Sequence, residues 1–453
     1  MRLNEYKNIY FVGIGGIGMS AIARYFNNKN VNIFGYDRIK SSLCMQLENE
    51  GMNIHYTEDI SQILVKKDDT LVVYTPAIDF ENKELSYFLN NNYIVMKRSE
   101  VLGKITENHF TIAVAGTHGK TTTSTMIAHI LHQSGIDCTA FLGGVSINYH
   151  SNIIFGTEKS VFVVEADEFD RSFLTISPDI AVITSIDEDH LDVYENKDMF
   201  ISAFFDFTNN IKNGGTLFLE ENIDMSIINR QDISVFKYGS SIRSDFQATN
   251  ITSENNVMKF KVSCNDEIFN NFNLHMGGRY NVFNALAAFS VANLLDIEHS
   301  HIVDGINSFL GIERRFVTHI FSEKLMFIDD YAHHPKEVKE CINAVKEMYP
   351  RRKITVIFQP HLYSRTKHFL KEFAESLSLA DEIIILEIYG AREQAIKGVS
   401  SKLLLSKCTS DKKELSTLDS IVENISIKDI DILLTLGAGD ISTIIKPLKL
   451  KLS

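Results

Sequence analysis

Short apolar runs of strand length recur along this chain, each closed by a polar or glycine-bearing turn and followed by a segment with helical spacing. The first series has runs at 9–12, 31–36 and 70–75, with a helical pattern at 19–27. A second begins near residue 108, with runs at 110–114, 161–164, 180–184 and 216–219. Its first run leads to a helical segment over 122–133 whose apolar positions include Met126, Ile127, Ile130 and Leu131. A third has runs at 325–328, 354–358, 383–386 and 432–436. Continuous apolar strands alternating with helices predict βαβ units and parallel sheets. Residues 245–274 break the rhythm: they alternate and are rich in asparagine, which predicts an antiparallel patch before a helix resumes near Asn281.

In open α/β sheets ligands collect at the carboxyl ends of the strands, so the polar residues there carry the functional reading. After 110–114 comes Ala115-Gly116-Thr117-His118-Gly119-Lys120-Thr121-Thr122-Thr123, a glycine-bounded turn that opens a helix. Unpaired amides at a helix N-terminus attract phosphate oxygens, Lys120 supplies a cation, and the Thr121 hydroxyl suits a magnesium ion. The general loop pattern wants a glycine where Val114 stands, which leaves a plain strand-to-helix turn as the structural alternative.

Gly13, Gly15, Gly16 and Gly18 form a second glycine turn, and Asp37 closes the following strand. That fingerprint suits a nicotinamide dinucleotide, yet a UDP-sugar also supplies a diphosphate, and the choice stays open at this point. Glu165-Ala166-Asp167-Glu168 and Asp187-Glu188-Asp189-His190 are acidic strand ends whose repulsion a divalent metal would relieve. Arg314-Arg315, Asp329-Asp330-Tyr331-Ala332-His333-His334-Pro335 and His361-Leu362-Tyr363-Ser364-Arg365 supply guanidinium forks and imidazoles for an anion or an incoming amine.

The 453 residues leave room for about three domains. A net charge of −13 argues against nucleic acid as a partner. Five scattered cysteines indicate neither a disulfide framework nor a zinc site, which fits a cytoplasmic protein. No apolar stretch is long enough for membrane insertion.

Taken in order, these segments resemble the Mur ligase family, and the resemblance covers nearly the whole chain. The Tyr331-to-Pro335 and Gln359-Pro360-His361 segments look like its alanine-adding branch. The resemblance implies a three-domain α/β architecture. Residues 1–106 would be a Rossmann-like UDP-sugar domain, 107–311 a central P-loop ATPase domain, and 312–453 a C-terminal domain for amino acid and nucleotide. It implies ATP, UDP-N-acetylmuramate and L-alanine as substrates, magnesium or manganese as the metal, and a place in peptidoglycan precursor synthesis. NAD is then not expected.

By the same resemblance, Gly13, Gly15, Gly16, Gly18 and Asp37 bind the UDP-sugar. Gly116, Thr117, His118, Gly119, Lys120, Thr121, Thr122, Asn281, Asn284, Arg314, Arg315 and Asp330 bind ATP, and Thr121, Glu165 and His190 hold the metal. His333, Arg365 and Arg392 face the amino acid, and Lys120, His190, His333 and Arg365 are the expected catalytic groups. A tripeptide-adding recycling ligase and a non-catalytic nucleotide-binding regulator are the alternatives. Three departures from the family pattern stand out. Gly277-Gly278-Arg279-Tyr280 lacks the usual proline and histidine, which predicts a looser turn. Phe169 replaces a usual serine, and Lys336 a common threonine.

Overall fold

A computed structural model describes residues 3–187, 194, 197–391, 393–426 and 430–453. The chain forms two compact units, one of Met1–Thr249, Lys261–Asn271 and Phe283–Phe309, the other of Asn250–Phe260, Phe272–Val282 and Leu310–Ser453.

The first unit opens with β1 (Asn8–Val12), β2 (Asn32–Tyr36), β3 (Asn53–His55), β4 (Thr70–Tyr74) and β5 (Ile94–Lys97), ordered β3-β2-β1-β4-β5 and parallel throughout. The helix Ile17–Asn28 buries every residue from Met19 to Arg24 together with Phe26, so it is covered on more than one face rather than along a single apolar stripe. Sequence periodicity shows β1, β2 and β4 but not the short edge strands β3 and β5, whose burial alternates too briefly to register.

The same unit holds β6 (Thr111–Ala115), β7 (Cys138–Ser146), β8 (Ser151–Ile154), β9 (Val161–Glu165), β10 (Ile180–Ile183), β11 (Thr216–Glu220) and β12 (Ser234–Gly239), ordered β12-β11-β10-β6-β9-β7-β8. All neighbours are parallel except β7 and β8, a hairpin. Central β6 is buried at every position, as strands covered on both faces must be.

The asparagine-rich patch becomes β13 (Phe246–Glu254), β14 (Val257–Cys264) and β15 (Glu267–Leu274). Its two tight loops, Asn255-Asn256 and Asn265-Asp266, have positive φ at both central residues, the hairpin turn that asparagine and aspartate tolerate best.

The second unit carries β16 (Val317–Phe321), β17 (Met326–Asp330), β18 (Ile354–Phe358), β19 (Glu382–Ile385), β20 (Lys412–Leu415) and β21 (Ile432–Leu436), ordered β16-β17-β21-β18-β19-β20. Only β16 runs antiparallel, with a bulge at residues 318–320. Among the described residues no helix is long and apolar enough to cross a membrane.

Candidate active site

In the first unit the phosphate loop leaves the end of β6 and enters the helix Lys120–Gln133. Gly116 and Gly119 have φ of 125° and 82°, and a Cβ on them would lie 2.3 Å from Thr184 Oγ1 and 2.5 Å from Asn284 Oδ1. Both glycines are therefore obligatory, for conformation and for space. The loop is strapped to the end of β10: Thr117 Oγ1 donates to the Asp187 carbonyl at 3.0 Å, and the His118 amide donates to Ser185 Oγ at 2.9 Å. Gly119 provides no side-chain cap, so the amides of the first turn point where a phosphate would sit. Thr121 and Thr122 are buried in that turn, and Thr123 Oγ1 donates to Asn284 Oδ1 at 3.2 Å. Asn284 thus braces the loop from behind.

Lys120 Nζ donates to Glu168 at 2.9 and 2.8 Å and to the Gly116 carbonyl at 2.7 Å. Burial opposes its charge, but the carboxylates of Glu168, Asp167 and Glu165 outweigh that and hold its pKa above the ordinary value. Glu165 ends β9 directly beside Val114 of β6. A Cβ on Gly143 would fall 1.9 Å from Glu165 Oε2, so the strand β7 leaves a cradle for this carboxylate. A threonine hydroxyl and a carboxylate are the oxygen donors a hard divalent cation takes, and Thr121 and Glu165 fit that chemistry. The described residues contain no cluster of three or more His, Cys, Asp or Glu placed for a metal, and His190, with Glu188 and Asp189, lies outside them.

The glycine turn at 13–18 leaves β1 and opens onto a cleft of about 300 Å³ that also receives Thr75, Arg98, Glu165 and Asp167. Gly13 takes φ of 89°. Asp37 Oδ2 accepts the Gly15 amide at 2.8 Å, so this acid buttresses the turn itself. A Cβ on Gly18 would lie 3.0 Å from Arg98 Nη1, which places a guanidinium over the N-terminus of the helix Ile17–Asn28. A cation beside a helix N-terminus is unfavourable on its own and becomes favourable once an anion lies between them. Sequence reading missed Arg98 because β5, which ends at Lys97, carries too few buried positions to announce itself.

The turn is tied to the second sheet through Asn152 on β8. Its Nδ2 donates to the Ile17 carbonyl at 2.6 Å and to Ser20 Oγ at 2.9 Å, and its Oδ1 accepts from buried Arg24.

In the second unit the polar residues gather at the ends of the adjacent strands β17, β21 and β18. Buried Asp330 accepts the Phe316 and Ala332 amides, both at 2.7 Å, and burial pushes its pKa up to about 6. Arg314 pairs with Asp329 at 3.1 Å and donates to the Gly437 carbonyl at 2.7 Å, and it and Arg315 lie over the Tyr331 ring. His333 Nδ1 lies 3.0 Å from the Tyr331 carbonyl, and burial lowers its pKa to about 4. It is neutral at pH 7; donation from Nδ1 leaves the lone pair on Nε2. His361, lowered to about 3 by burial, faces His333 at 5.9 Å between ring centroids and accepts from Arg365 Nη1 at 3.5 Å. His334 is the N-cap of the helix Pro335–Met348, so the two histidines divide between site and scaffold. Arg392 lies outside the described residues.

Asn281 Nδ2 donates to the Gly277 carbonyl at 2.7 Å. The expected looser turn at Gly277-Gly278 is instead tight. A Cβ on Gly277 would lie 2.1 Å from the Phe316 ring, and Gly278 takes φ of 91°.

Two phosphate-type loops on parallel sheets within one compact unit, with a histidine- and arginine-lined strand edge in the other, define an α/β protein built for nucleotides and anionic substrates. The family models described as "Mur ligase family, catalytic domain", "Mur ligase middle domain" and "Mur ligase, glutamate ligase domain" match residues 8–110, 114–292 and 314–439. The chain belongs to the Mur ligase family.

It is 43% identical over 456 residues to a UDP-N-acetylmuramate–L-alanine ligase of Cytophaga hutchinsonii, covering 99% of this chain and 98% of that protein. To the enzyme of that name from Phocaeicola vulgatus it is 44% identical, covering 97% of each. The crystal structure of a UDP-N-acetylmuramate-alanine ligase from Thermotoga maritima superposes with a TM-score of 0.84 at 27% identity, covering 98% of each chain. A murein peptide ligase from Psychrobacter arcticus shares the fold, with a TM-score of 0.71 at 24% identity and 98% of each chain covered.

Proposed function

We propose that this protein joins L-alanine to the lactyl carboxylate of UDP-N-acetylmuramate at the expense of ATP, in cytoplasmic peptidoglycan precursor synthesis. One observation carries the reading: a single cleft is lined both by Gly16 and Gly18 of the glycine turn and by Glu165 and Asp167. A nucleotide sugar whose diphosphate rests on Gly15, Gly16 and Gly18 presents its far end at the acidic strand end that also holds Lys120. Arg98 supplies the cation for that diphosphate.

The carboxylate oxygen attacks the γ-phosphorus, a P–O bond forms as the β,γ-bridging bond breaks, and ADP leaves. Alanine's amine then attacks the acyl phosphate carbonyl, loses a proton and expels inorganic phosphate. Lys120 and the first-turn amides stabilise charge on the phosphoryl oxygens. Thr121, Glu165 and His190 are the residues assigned to hold a magnesium ion, which would supply further charge neutralisation when bound. His333, neutral and with its Nδ1 engaged by the Tyr331 carbonyl, is assigned as proton acceptor. Arg365 and Arg392 are assigned to the alanine carboxylate, and Asn281, Arg314, Arg315 and Asp330 to the nucleotide side.

Phosphate release with ATP and UDP-N-acetylmuramate, measured against L-alanine, glycine, L-serine and a preformed muropeptide tripeptide, tests this. L-Alanine is expected to give the highest kcat/KM. Turnover with the tripeptide alone would establish a recycling ligase instead, and ATP binding without product a regulator.

A further inference from the structure

The phosphate and metal groups leave one wall of the cleft unexplained. Phe169 lines it, directly after the acidic strand end and at the start of the 3₁₀ turn Phe169–Thr175. Backbone sets its position: the Phe169 amide donates to Asp167 Oδ1 at 3.2 Å, and the Phe173 amide donates to the Asp167 carbonyl at 2.9 Å. Arg171 within the same turn is held at φ of 54°, a conformation that L side chains rarely adopt. The turn then divides its aromatics. Phe173 is fully buried and stacks on Phe207 at 5.0 Å, whereas Phe169 is only half-buried and faces the cleft.

Phe141, Leu142 and Met19 line the same cleft as Phe169, Gly16, Gly18, Glu165 and Asp167. The occupant that suits these surfaces has an anionic end, a ring with one apolar face, and a second polar end. A pyranose between a diphosphate and a carboxylate has that order, with a C–H face that a phenyl ring covers and removes from water.

We infer that Phe169 is the platform for the hexose ring of the nucleotide-sugar substrate, and so determines specificity for the sugar rather than for UDP or ATP. This rests on reading the cleft as the UDP-sugar site.

Titration calorimetry with UDP and with UDP-N-acetylmuramate, on the wild type, Phe169→Ala, Phe169→Leu and Phe169→Tyr, tests it. Phe169→Ala is expected to bind UDP as the wild type does and to lose about tenfold in affinity for UDP-N-acetylmuramate, about 1.4 kcal/mol. Phe169→Tyr should keep the flat face and the affinity, and KM for ATP should not move. Should Phe169→Ala not fold, Phe169→Leu, which keeps bulk without a plane, carries the same comparison with a loss of several-fold. Equal losses for both ligands, or no loss for either, would overturn the inference. A wild type that binds UDP-N-acetylmuramate no more tightly than UDP would overturn the reading of the cleft itself.

Discussion

Lys120 and Glu168 form an ion pair with both carboxylate oxygens engaged, and Glu168 has no exposed side-chain surface. The lysine assigned to phosphate is thereby held at the floor of its loop. Removing one partner leaves the other charge buried, which costs about 3 kcal/mol. Glu168→Gln should therefore lower the melting temperature, and Lys120→Ala should abolish ligation. The double variant Lys120→Ala/Glu168→Gln should melt above the sum of the single losses. Additive losses in a double-mutant cycle would show that the pair is not coupled.

Gly143→Ala puts a methyl where Glu165 Oε2 now sits, 1.9 Å away. The pairing of β7 with β9 ends at Phe141 and its pairing with β8 is irregular between Phe141 and Ser146, so the added methyl displaces the Glu165 carboxylate, the nearest group, or shifts the strand locally. Activity should fall by about a hundredfold and need more magnesium for half-saturation, the signature of a displaced ligand rather than a lost fold. A metal titration curve unchanged in midpoint would remove Glu165 from the metal site.

Asn152 ties the helix that carries the glycine turn to the sheet that carries Glu165 and the phosphate loop. Nothing places it at the reacting atoms, so it is a positioning residue. A shift of about 1 Å between two bound substrates costs roughly a hundredfold in rate. Asn152→Ala should lower kcat tenfold or more, while the dissociation constants for ATP and UDP stay within about threefold because each half-site is intact. Equal losses in binding and turnover would mark a purely structural role.

Stability should rise with pH across the acidic range. Burial holds His129 down at about 4, with Tyr149 Oη 2.7 Å from Nδ1 and Ser308 Oγ 3.0 Å from Nε2. Unfolded, it titrates near 6.5. Between those values the unfolded chain takes up a proton that the folded chain refuses, so this stability is full above about pH 6.5 and is lost on acidification, roughly 3 kcal/mol in all. His333 and His361 act in the same direction, and Asp330, raised by burial to about 6, acts against them. His129→Gln should flatten part of the slope in denaturation midpoint from pH 4 to 6.5. A slope identical to wild type would show that His129 is protonated in the folded chain.

Both phosphate-type loops were legible in the sequence because what defines them is local. Gly116, Gly119 and Gly13 need positive φ at a strand-to-helix turn, and a few consecutive residues suffice to state that. The parallel strands β1, β6, β10, β18 and β21 were legible for a related reason. A strand covered on both faces must be apolar throughout, and such runs stand out from a chain that is otherwise mixed. Even the asparagine-rich hairpins declared themselves, since their turn conformations favour asparagine and aspartate.

What the sequence could not supply are relationships whose partners lie far apart along the chain. Lys120 meets Glu168 across 48 positions, and Asn152 meets Ile17 across 135. Arg98 comes to Gly18 only because β5 and β1 both flank β4. Gly143 reads as an ordinary strand glycine until Glu165 is seen to need its missing side chain. Edge strands such as β20, exposed at every position, leave no periodic trace because neither face is buried. Sequence by itself therefore determined which turns are glycine-bearing strand-to-helix turns and which residue types end the strands, properties written in local backbone sterics and side-chain chemistry. The tertiary structure decided which of those ends share a cleft and which charges neutralise one another, because burial and pairing depend on distances that only the folded chain sets.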